Sequence, residues 1–196
     1  MENKLKLHIA CGDIYLSDYV NIDIEGIEWE EWMKDHKTNP NLTTFGMYYH
    51  KPFEKDKKKS KPNKFIVDRL MNILVKWEFP DQSVDEVLMI SSIEHFTEQE
   101  ADFIISEVKR VLKPGGIFRV DFPDIITTVE TYYYHDTEFC MRLLYCNHKN
   151  EYSIHKWGYS FFSFRDKLGS GWAEIKQEQI VQHDYPMIGI KAVKKS

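Results

Sequence analysis

Two short apolar stretches, separated by only nine residues, most strongly limit how this chain can fold. Residues 5–10, LKLHIA, and residues 20–24, VNIDI, both have the pattern of buried strands, with Gly12 between them and Asp23 in the second. Parallel neighbouring strands usually need a crossover of about a dozen residues or more. We nevertheless expect a parallel pair joined by a single helical turn or an irregular loop. An antiparallel pair would remove the basis for any ligand contact by Asp23.

The stretches that follow alternate strands with connections. Residues 65–68 and 86–90 are predicted strands, and a helix is predicted after Thr97, where Thr97 and Glu100 have the spacing of a capping box. The segment Lys-Pro-Gly-Gly at 113–116 should end that helix, and residues 116–122 should form the next strand. This order predicts an α/β fold, with a mostly parallel sheet and helices on both faces.

The C-terminal part of the chain has a different pattern. Residues 173–180, AEIKQEQI, and 187–193, MIGIKAV, are strand-like and are joined by a short segment that contains QHDYP. A hairpin fits this spacing, so we expect an antiparallel pair at one edge of the sheet.

A chain of 196 residues is sufficient for one domain, and we expect residues 1–196 to form a single one. Residues 27–63 lack a sustained period and are predicted to be an irregular, lysine-rich insertion. Within residues 51–64, seven lysines face two acids. This segment is interpreted as a solvated surface loop, with a lid or a contact for an anionic substrate as the alternative.

Charge and composition argue against several classes of protein. A net charge of −5 disfavours broad binding to nucleic acid or to an anionic membrane. No secretory signal and no apolar run long enough to span a bilayer is visible. Three cysteines without a paired spacing favour a reducing, cytoplasmic location over a disulfide framework or a zinc site.

Four motifs in order then give a family resemblance. They are LHIACGD, VNIDI, FPDQSVDEVLMISSIEHF and VKRVLKPGGIFRVDFPD, and HKWGYSFF at 155–162 is a looser fifth. The sequence resembles the class I S-adenosylmethionine-dependent methyltransferases, most closely a compact bacterial branch with a shortened first loop. The resemblance implies a Rossmann-like sheet whose ligand lies at the carboxyl ends of the strands.

The charge of the first loop favours the same cofactor. A dinucleotide loop carries three glycines and needs a helix N-terminus to hold a pyrophosphate. This loop has only Gly12, and Asp13 follows it directly. An acid at that position repels phosphate, whereas it suits the α-ammonium and sulfonium of S-adenosylmethionine. Asp23 can accept both ribose hydroxyls through its two carboxylate oxygens.

The resemblance also implies the remaining cofactor contacts. Asp68 matches the position that often contacts the adenine amino group, Leu70 and Met71 would flank the ring, and Ser91 and Ser92 would face the methionine moiety. Capping of strand ends is the structural alternative for Asp68 and the two serines. The full predicted set is Ala10, Cys11, Gly12, Asp13, Asp23, Ile24, Asp68, Leu70, Met71, Ser91 and Ser92.

Methyl transfer to a hydroxyl would benefit from a general base. His155, His95 and Asp121 are the main candidates, with packing or turn capping as the alternative for each, and Asp124 and His148 complete the set. His148 and His155 lie seven residues apart without a clear third ligand, so no metal site is expected. The aromatic segment 128–146 is either a core-facing helix or a stacking wall for a flat or sugar-like acceptor.

These features predict a methyltransferase whose acceptor is a small molecule or a glycan precursor. Two alternatives stay open. The first is a nucleic-acid methyltransferase that uses the lysine-rich segment on phosphates, although the Asn/Asp-Pro-Pro-Tyr/Phe tetrad of base methylation is missing. The second is a non-catalytic binding or scaffold protein that retains the fold.

Overall fold

The computed structural model describes residues 4–12, 14–35, 66–146, 148, 150–181 and 183–196. The strands are β1 Lys6–Ile9, β2 Val20–Asp23, β3 Ile27–Glu28, β4 Ile66–Val67, β5 Arg69–Leu70, β6 Val84–Ile90, β7 Leu112–Pro123, β8 Trp172–Gln177 and β9 Met187–Lys194. The α-helices are α1 Trp29–Asp35, α2 Glu98–Val111, α3 Ile125–Tyr132, α4 Thr137–Tyr145 and α5 Phe161–Leu168, and 3₁₀ turns span Ile93–His95 and Glu151–Ser153.

The main sheet has the order β5-β2-β1-β6-β7-β9-β8 among the described strands. Its first five members are parallel, whereas β9 is antiparallel to both β7 and β8. The predicted α/β class, the mostly parallel sheet and the antiparallel C-terminal strands are therefore confirmed. The strand order changes direction at β1, so the crevice between β1 and β6 is where a parallel sheet of this kind binds ligands.

The short first connection keeps β1 and β2 parallel, as expected. Leu7 pairs with Val20 and Ile9 pairs with Ile22. The described residues between the two strands form turns rather than a helix, with the amide of Tyr19 donating to the carbonyl of Leu16 at 3.2 Å. Asp13 itself lies outside the described residues.

The prediction of a single third strand over residues 65–68 is wrong. Residues Ile66–Val67 pair with β3 in a separate two-stranded sheet, and Arg69–Leu70 pairs with β2 in the main sheet. Asp68 therefore lies between two short strands. The expectation of irregular structure is also wrong for residues 27–35, which form β3 and α1. Residues 36–63 of the expected insertion lie outside the described part of the chain.

Helix α2 begins as the sequence predicts and packs on the apolar face of the sheet. Thr97 and Glu100 form the reciprocal capping box. The helix ends at Val111, and its buried side chains join Val87, Met89 and Val120 of β6 and β7 in the main core. On the opposite face, Leu88 and Ile90 pack in a smaller cluster whose other buried members, Ile14, Leu16, Tyr19 and Val181, come from loops.

The aromatic segment 128–146 forms parts of two helices, α3 and α4, rather than one core-facing helix. Tyr133, Tyr134 and Tyr145 are exposed, and Cys140 and Leu143 are the residues that α4 buries. Its aromatic side chains are thus mainly at the surface. Among the described residues, no helix is both long enough and apolar enough to cross a membrane.

Candidate cofactor and acceptor site

The backbone turns sharply where β1 and β6 end. Ala10 and Ser91 both have left-handed backbone angles, with φ of 49° and 45°, and Gly12 has φ of 57°. Non-glycine residues rarely adopt this region, and such strain concentrates at functional sites. A Cβ at Gly12 would have no atom of the described residues beyond its chain neighbours within 4 Å, so the space above this glycine is open on that side. A ligand can therefore approach the backbone here.

Asp23 lies beside that open space and is already held in position by the backbone. One of its carboxylate oxygens accepts from the amide of Gly12 at 2.8 Å, and the other accepts from the amide of Ile24 at 2.7 Å. Each oxygen keeps further lone-pair capacity. The carboxylate is thus fixed and can still accept two hydroxyl groups from a ribose.

Two exposed apolar side chains flank Asp23 at the same edge. Ile24 is 47% exposed and Leu70 is 46% exposed, and Leu70 is the β5 partner of Asp23 in the sheet. Met71, which donates its amide to the carbonyl of Asp23 at 2.8 Å, is buried next to them. An aromatic base placed against Ile24 and Leu70 would remove apolar surface from water, which is favourable.

Asp68 has partners within the fold. Its carboxylate accepts from the hydroxyl of Tyr15 at 2.5 Å, from the amide of Asn21 at 2.7 Å and from the side-chain nitrogen of Asn21 at 2.9 Å. The carboxylate and burial together raise the pKa of Tyr15. These contacts tie the segment before β5 to the β1–β2 connection, which is the structural role that the sequence left open for this residue.

The predicted cofactor residues Cys11 and Ser92 lie just after the carboxyl ends of β1 and β6. The Ser92 hydroxyl lies 2.6 Å from the carbonyl of Ile90 and 3.1 Å from the carbonyl of Ala10, so it connects the two strand ends. The thiol of Cys11 is buried, and burial together with the nearby Asp23 raises its pKa.

A buried acid–histidine pair lies at the end of β7. One oxygen of Asp121 accepts from the amide of Ser91 at 2.8 Å, and the other is 3.0 Å from Nε2 of His183. Both side chains are almost fully buried, and they border a cavity of about 270 Å³ between β7 and residues 177–189. Asp121 was a predicted catalytic residue, but its partner was missed because His183 lies in a segment that the sequence indicated only as a turn.

A second group, the histidine cluster, consists of Glu94, His95 and His155. The rings of His95 and His155 meet edge to face with centroids 4.8 Å apart. Nε2 of His155 is 4.0 Å from a carboxyl oxygen of Glu94, which is beyond hydrogen-bond distance. The sequence pointed to both histidines. It did not point to Glu94 or to their meeting, since His155 follows Glu94 by 61 residues.

The backbone explains why two such distant segments meet. The carbonyl of Glu94 accepts from the amides of Lys156 and Trp157 at 2.8 and 3.2 Å. Nδ1 of His95 is 3.1 Å from the carbonyl of Ile154, and Nδ1 of His155 is 2.9 Å from that of Leu143. Because a carbonyl can only accept, each ring carries a proton on Nδ1.

Burial keeps the cluster uncharged near neutral pH. Desolvation raises the pKa of Glu94 to about 8, and the nearby charge of Asp121 acts in the same direction. Desolvation also lowers the pKa of His155 to about 4, with His95 contributing, and it lowers the pKa of His95. The contact between Glu94 and His155 is therefore not an ion pair, although the two groups carry opposite charges when ionised.

An open cavity of about 650 Å³ lies against His155. Its wall is mainly apolar and includes Ile125 and Val129 of α3, Tyr145 of α4 and Trp157. This volume is typical of sites for small organic ligands. His155 is the residue that the cavity and the histidine cluster share.

The structure separates the other sequence candidates from this group. Asp124 caps α3, accepting from the amide of Ile126 at 3.2 Å and from the hydroxyl of Thr127 at 2.5 Å. His148 is exposed. The structure thus brings His95 and His155 together, places Asp121 beside Ser91, and gives Asp124 the capping role.

Comparison with known proteins points in one direction. The family model described as "Methyltransferase domain" matches residues 7–120. A protein of Mycolicibacterium smegmatis named "Probable S-adenosylmethionine-dependent methyltransferase" is 48% identical over 54 residues, which are 28% of this chain and 20% of that protein. The match therefore spans only about a fifth of the relative's length.

Solved structures share the fold. An S-adenosylmethionine-dependent methyltransferase from Methanosarcina mazei superposes with a TM-score of 0.56 at 16% identity, covering 100% of this chain and 94% of the other. Human N-acetylserotonin methyltransferase in complex with S-adenosylmethionine superposes with a TM-score of 0.52 at 11% identity, covering 98% of this chain and 41% of that one.

Proposed function

The chain belongs to the methyltransferase-domain family, an enzyme family whose cofactor is S-adenosylmethionine, and we propose that it transfers the methyl group to a small molecule or a glycan precursor. The observation that carries the acceptor part is the mainly apolar cavity of about 650 Å³ next to the histidine cluster. Its size and lining suit one small ring-bearing molecule rather than an extended polymer.

The cofactor would lie across the carboxyl ends of β1, β2 and β5. In this proposal Asp23 binds the ribose, Ile24 and Leu70 cover the adenine, and the strand ends at Ala10–Gly12 and Ser91–Ser92 surround the methionine part. Asp13, which lies outside the described residues, stays the predicted partner of the α-ammonium group. Cys11, Asp68 and Met71 contribute by shaping the floor of the site.

The reaction is a displacement in which the acceptor atom attacks the methyl carbon and the sulfonium leaves as a thioether. The protein's main contribution is to align the two reactants. A hydroxyl acceptor must also lose its proton, and His155, His95 and Asp121 are the proposed groups that assist this step. His155 has the best access, because it forms part of the cavity wall.

Calorimetry with S-adenosylmethionine tests the cofactor half of the proposal. Wild-type protein should bind one cofactor per chain, and Asp23→Ala should weaken binding about a hundredfold, since two charge-assisted hydrogen bonds are lost. Glu25→Ala, which removes an exposed neighbouring acid, is the matched control and should bind normally. Absence of binding by the wild type would favour the scaffold alternative.

The acceptor half is tested with a donor that carries a labelled methyl group. Labelled product should form with members of a panel of small hydroxyl or amine compounds and sugar nucleotides. Label transferred only to RNA or DNA would overturn the proposed acceptor class and favour the nucleic-acid alternative. Trp157→Ala should raise the KM for an accepted small molecule, because Trp157 borders the cavity.

A further inference from the structure

The histidine cluster contains an unusual buried carboxyl group. Glu94 is 3% exposed, and its Oε2 has no hydrogen-bond partner in the described structure. A buried carboxyl oxygen without a donor costs free energy, and such groups in folded proteins usually indicate a role beyond packing. The fold holds Glu94 there through its backbone, since its carbonyl receives the amides of Lys156 and Trp157.

The imidazole of His155 presents Nε2 to this carboxyl group at 4.0 Å from Oε1 of Glu94, and the ring of His95 lies edge to face against that imidazole. Nδ1 of each ring donates to a backbone carbonyl, to Ile154 for His95 and to Leu143 for His155. The lone pair of each neutral ring is therefore on Nε2. This arrangement, with Nδ1 oriented by a carbonyl and Nε2 left available, is the one that metal-binding histidines usually show.

We propose that Glu94, His95 and His155 bind one divalent transition-metal ion of the zinc class. Their three ligand atoms lie within 4.8 Å of one another. Ligand atoms at about 2.1 Å from a tetrahedral zinc ion are roughly 3.4 Å apart, so the side chains need to approach by up to about 1.4 Å. Two histidines and one carboxylate leave a fourth position open, which is typical of a catalytic rather than a structural zinc site.

Charge and access support the assignment. A divalent ion would supply the positive charge that the buried Glu94 lacks, and the carboxylate of Asp121 lies near enough to influence Glu94. Lys156 is the nearby cation, and its ammonium group is 3.8 Å from Glu100 at the surface. Because His155 also borders the large open cavity, the cluster lies next to a space that is open to solvent.

The metal proposal departs from the sequence-based expectation of no metal site, which considered only His148 and His155. It also gives the two histidines a specific role in methyl transfer, as ligands of the ion. A bound ion supplies a Lewis acid at the cavity wall that lowers the pKa of an acceptor hydroxyl. This last step rests on the proposed function, whereas metal binding itself does not.

Titration with Co²⁺ and Zn²⁺ tests the site on protein freed of any affinity tag. We expect one Co²⁺ per chain with the visible absorption of a low-coordinate site, displaced by one Zn²⁺. Glu94→Gln and His155→Gln should each weaken binding by about a hundredfold or more. His135→Ala, which removes an exposed histidine at the end of α3, is the control and should bind as the wild type does.

Two outcomes would overturn the proposal: no stoichiometric binding by folded wild-type protein, or equal binding by the wild type and both cluster variants. Circular dichroism and thermal melts must show that the variants are folded, and Glu94→Gln preserves side-chain volume for this reason. Calorimetry with S-adenosylmethionine is run on the same samples. Loss of cofactor binding with intact metal binding would refute the proposed function alone, and the reverse result would refute the metal site alone.

Discussion

Asp23 and Glu94 are both acids near strand ends of one sheet, yet their surroundings are opposite. Asp23 is partly exposed and accepts backbone amides on both carboxylate oxygens. Glu94 is buried beside two imidazole rings, and its Oε2 has no donor among the residues that the structure describes. The first carboxylate is satisfied in the protein alone and needs only a ligand with hydroxyl groups. The second is completed only by a proton or a cation.

The proposed cofactor site and the histidine cluster therefore differ in how the fold builds them. At the proposed cofactor site, residues directly after β1 and β2 provide the amides that hold Asp23, so its position is set by local geometry. At the histidine cluster, the 93–95 turn and residues 154–157 come together through backbone hydrogen bonds between distant segments. Replacing a buried acid that has its hydrogen-bond partners should therefore lower the free energy of unfolding more than replacing a buried acid that lacks a donor.

The largest effect is expected at Asp121, a buried acid whose partners are both present. Asp121→Ala should lower the free energy of unfolding by about 4 kcal/mol, because the buried His183 and the amide of Ser91 both lose their hydrogen bond to the buried carboxylate. Chemical denaturation measures this change. Asp124→Ala is the control three residues away and should cost about 1 kcal/mol, the value of a lost helix cap. Equal losses of stability for the two variants would show that the buried Asp121 contributes no more than a helix cap does.

The next effect concerns His8, which is fully buried on β1 beneath the cofactor edge. Burial lowers its pKa from 6.5 to about 4, so the folded protein disfavours the protonated ring. The contribution of the neutral His8 ring to stability is fully present above pH 6.5. It falls as the pH drops toward 4, because the unfolded chain then binds the proton more readily than the folded protein does. Between pH 7 and pH 4 this contribution is about 3 kcal/mol.

Denaturation of wild type and His8→Gln across that pH range measures the His8 contribution. The variant should show a smaller loss of stability on acidification, since its side chain does not titrate. Its absolute stability at pH 7 can differ without affecting the test, which concerns the slope with pH. Parallel slopes for the two proteins would show that His8 is not the group responsible.

A smaller effect is expected at the cavity wall, where Gly158 packs against α3. A Cβ at Gly158 would lie 2.5 Å from Cγ2 of Ile125. Gly158→Ala should therefore destabilise the protein by about 2 kcal/mol through overpacking. Ile125→Ala in the same chain should recover part of that loss, because it removes the clashing methyl group. A double-mutant cycle measures the recovery. If the two changes in the free energy of unfolding are strictly additive, atoms other than the Ile125 methyl group relieve the clash.

The smallest effect on stability is expected at Glu94 itself. Without added metal, Glu94→Gln should change the free energy of unfolding by about 1 kcal/mol or less, since Oε2 has no donor to lose within the described part of the chain. The contrast with Asp121→Ala is the direct test of the comparison. Added Zn²⁺ should stabilise the wild type and leave the variant unaffected, which thermal melts can measure.

Much of the fold around the proposed cofactor site was predictable because its signals are local. The strand at 20–24, the capping box at Thr97 and Glu100, and the order of the strands all follow from neighbouring residues. Asp23 could be chosen because it ends a predicted strand beside the Gly12 loop, although its position depended on the parallel pairing that the structure then confirmed. The error at residues 65–68 also has a local cause. The two-residue strands on either side of Asp68 belong to different sheets, and hydrophobic periodicity cannot locate a break within so short a segment.

The acceptor half was not predictable in the same way. His183 is in a segment whose composition indicates only a turn, and its pairing with Asp121 depends on the register of β9 against β7. Glu94 lies in the stretch FPDQSVDEVLMISSIEHF, but nothing in the sequence shows that Lys156 and Trp157 will donate to its carbonyl. Such contacts arise from tertiary packing, which local propensity does not encode.

The position of β9 has a consequence for how the molecule assembles during synthesis. Among the described strands β9 is made last, yet it lies between β7 and β8 and is the sheet neighbour of both. Until it emerges from the ribosome, β7 presents an unpaired edge that carries Phe118, Val120 and Phe122, and β8 has no partner in the sheet. Unpaired apolar edges invite association between chains. Nascent chains that stall before residue 187 should therefore be the species most prone to aggregate and most dependent on chaperones.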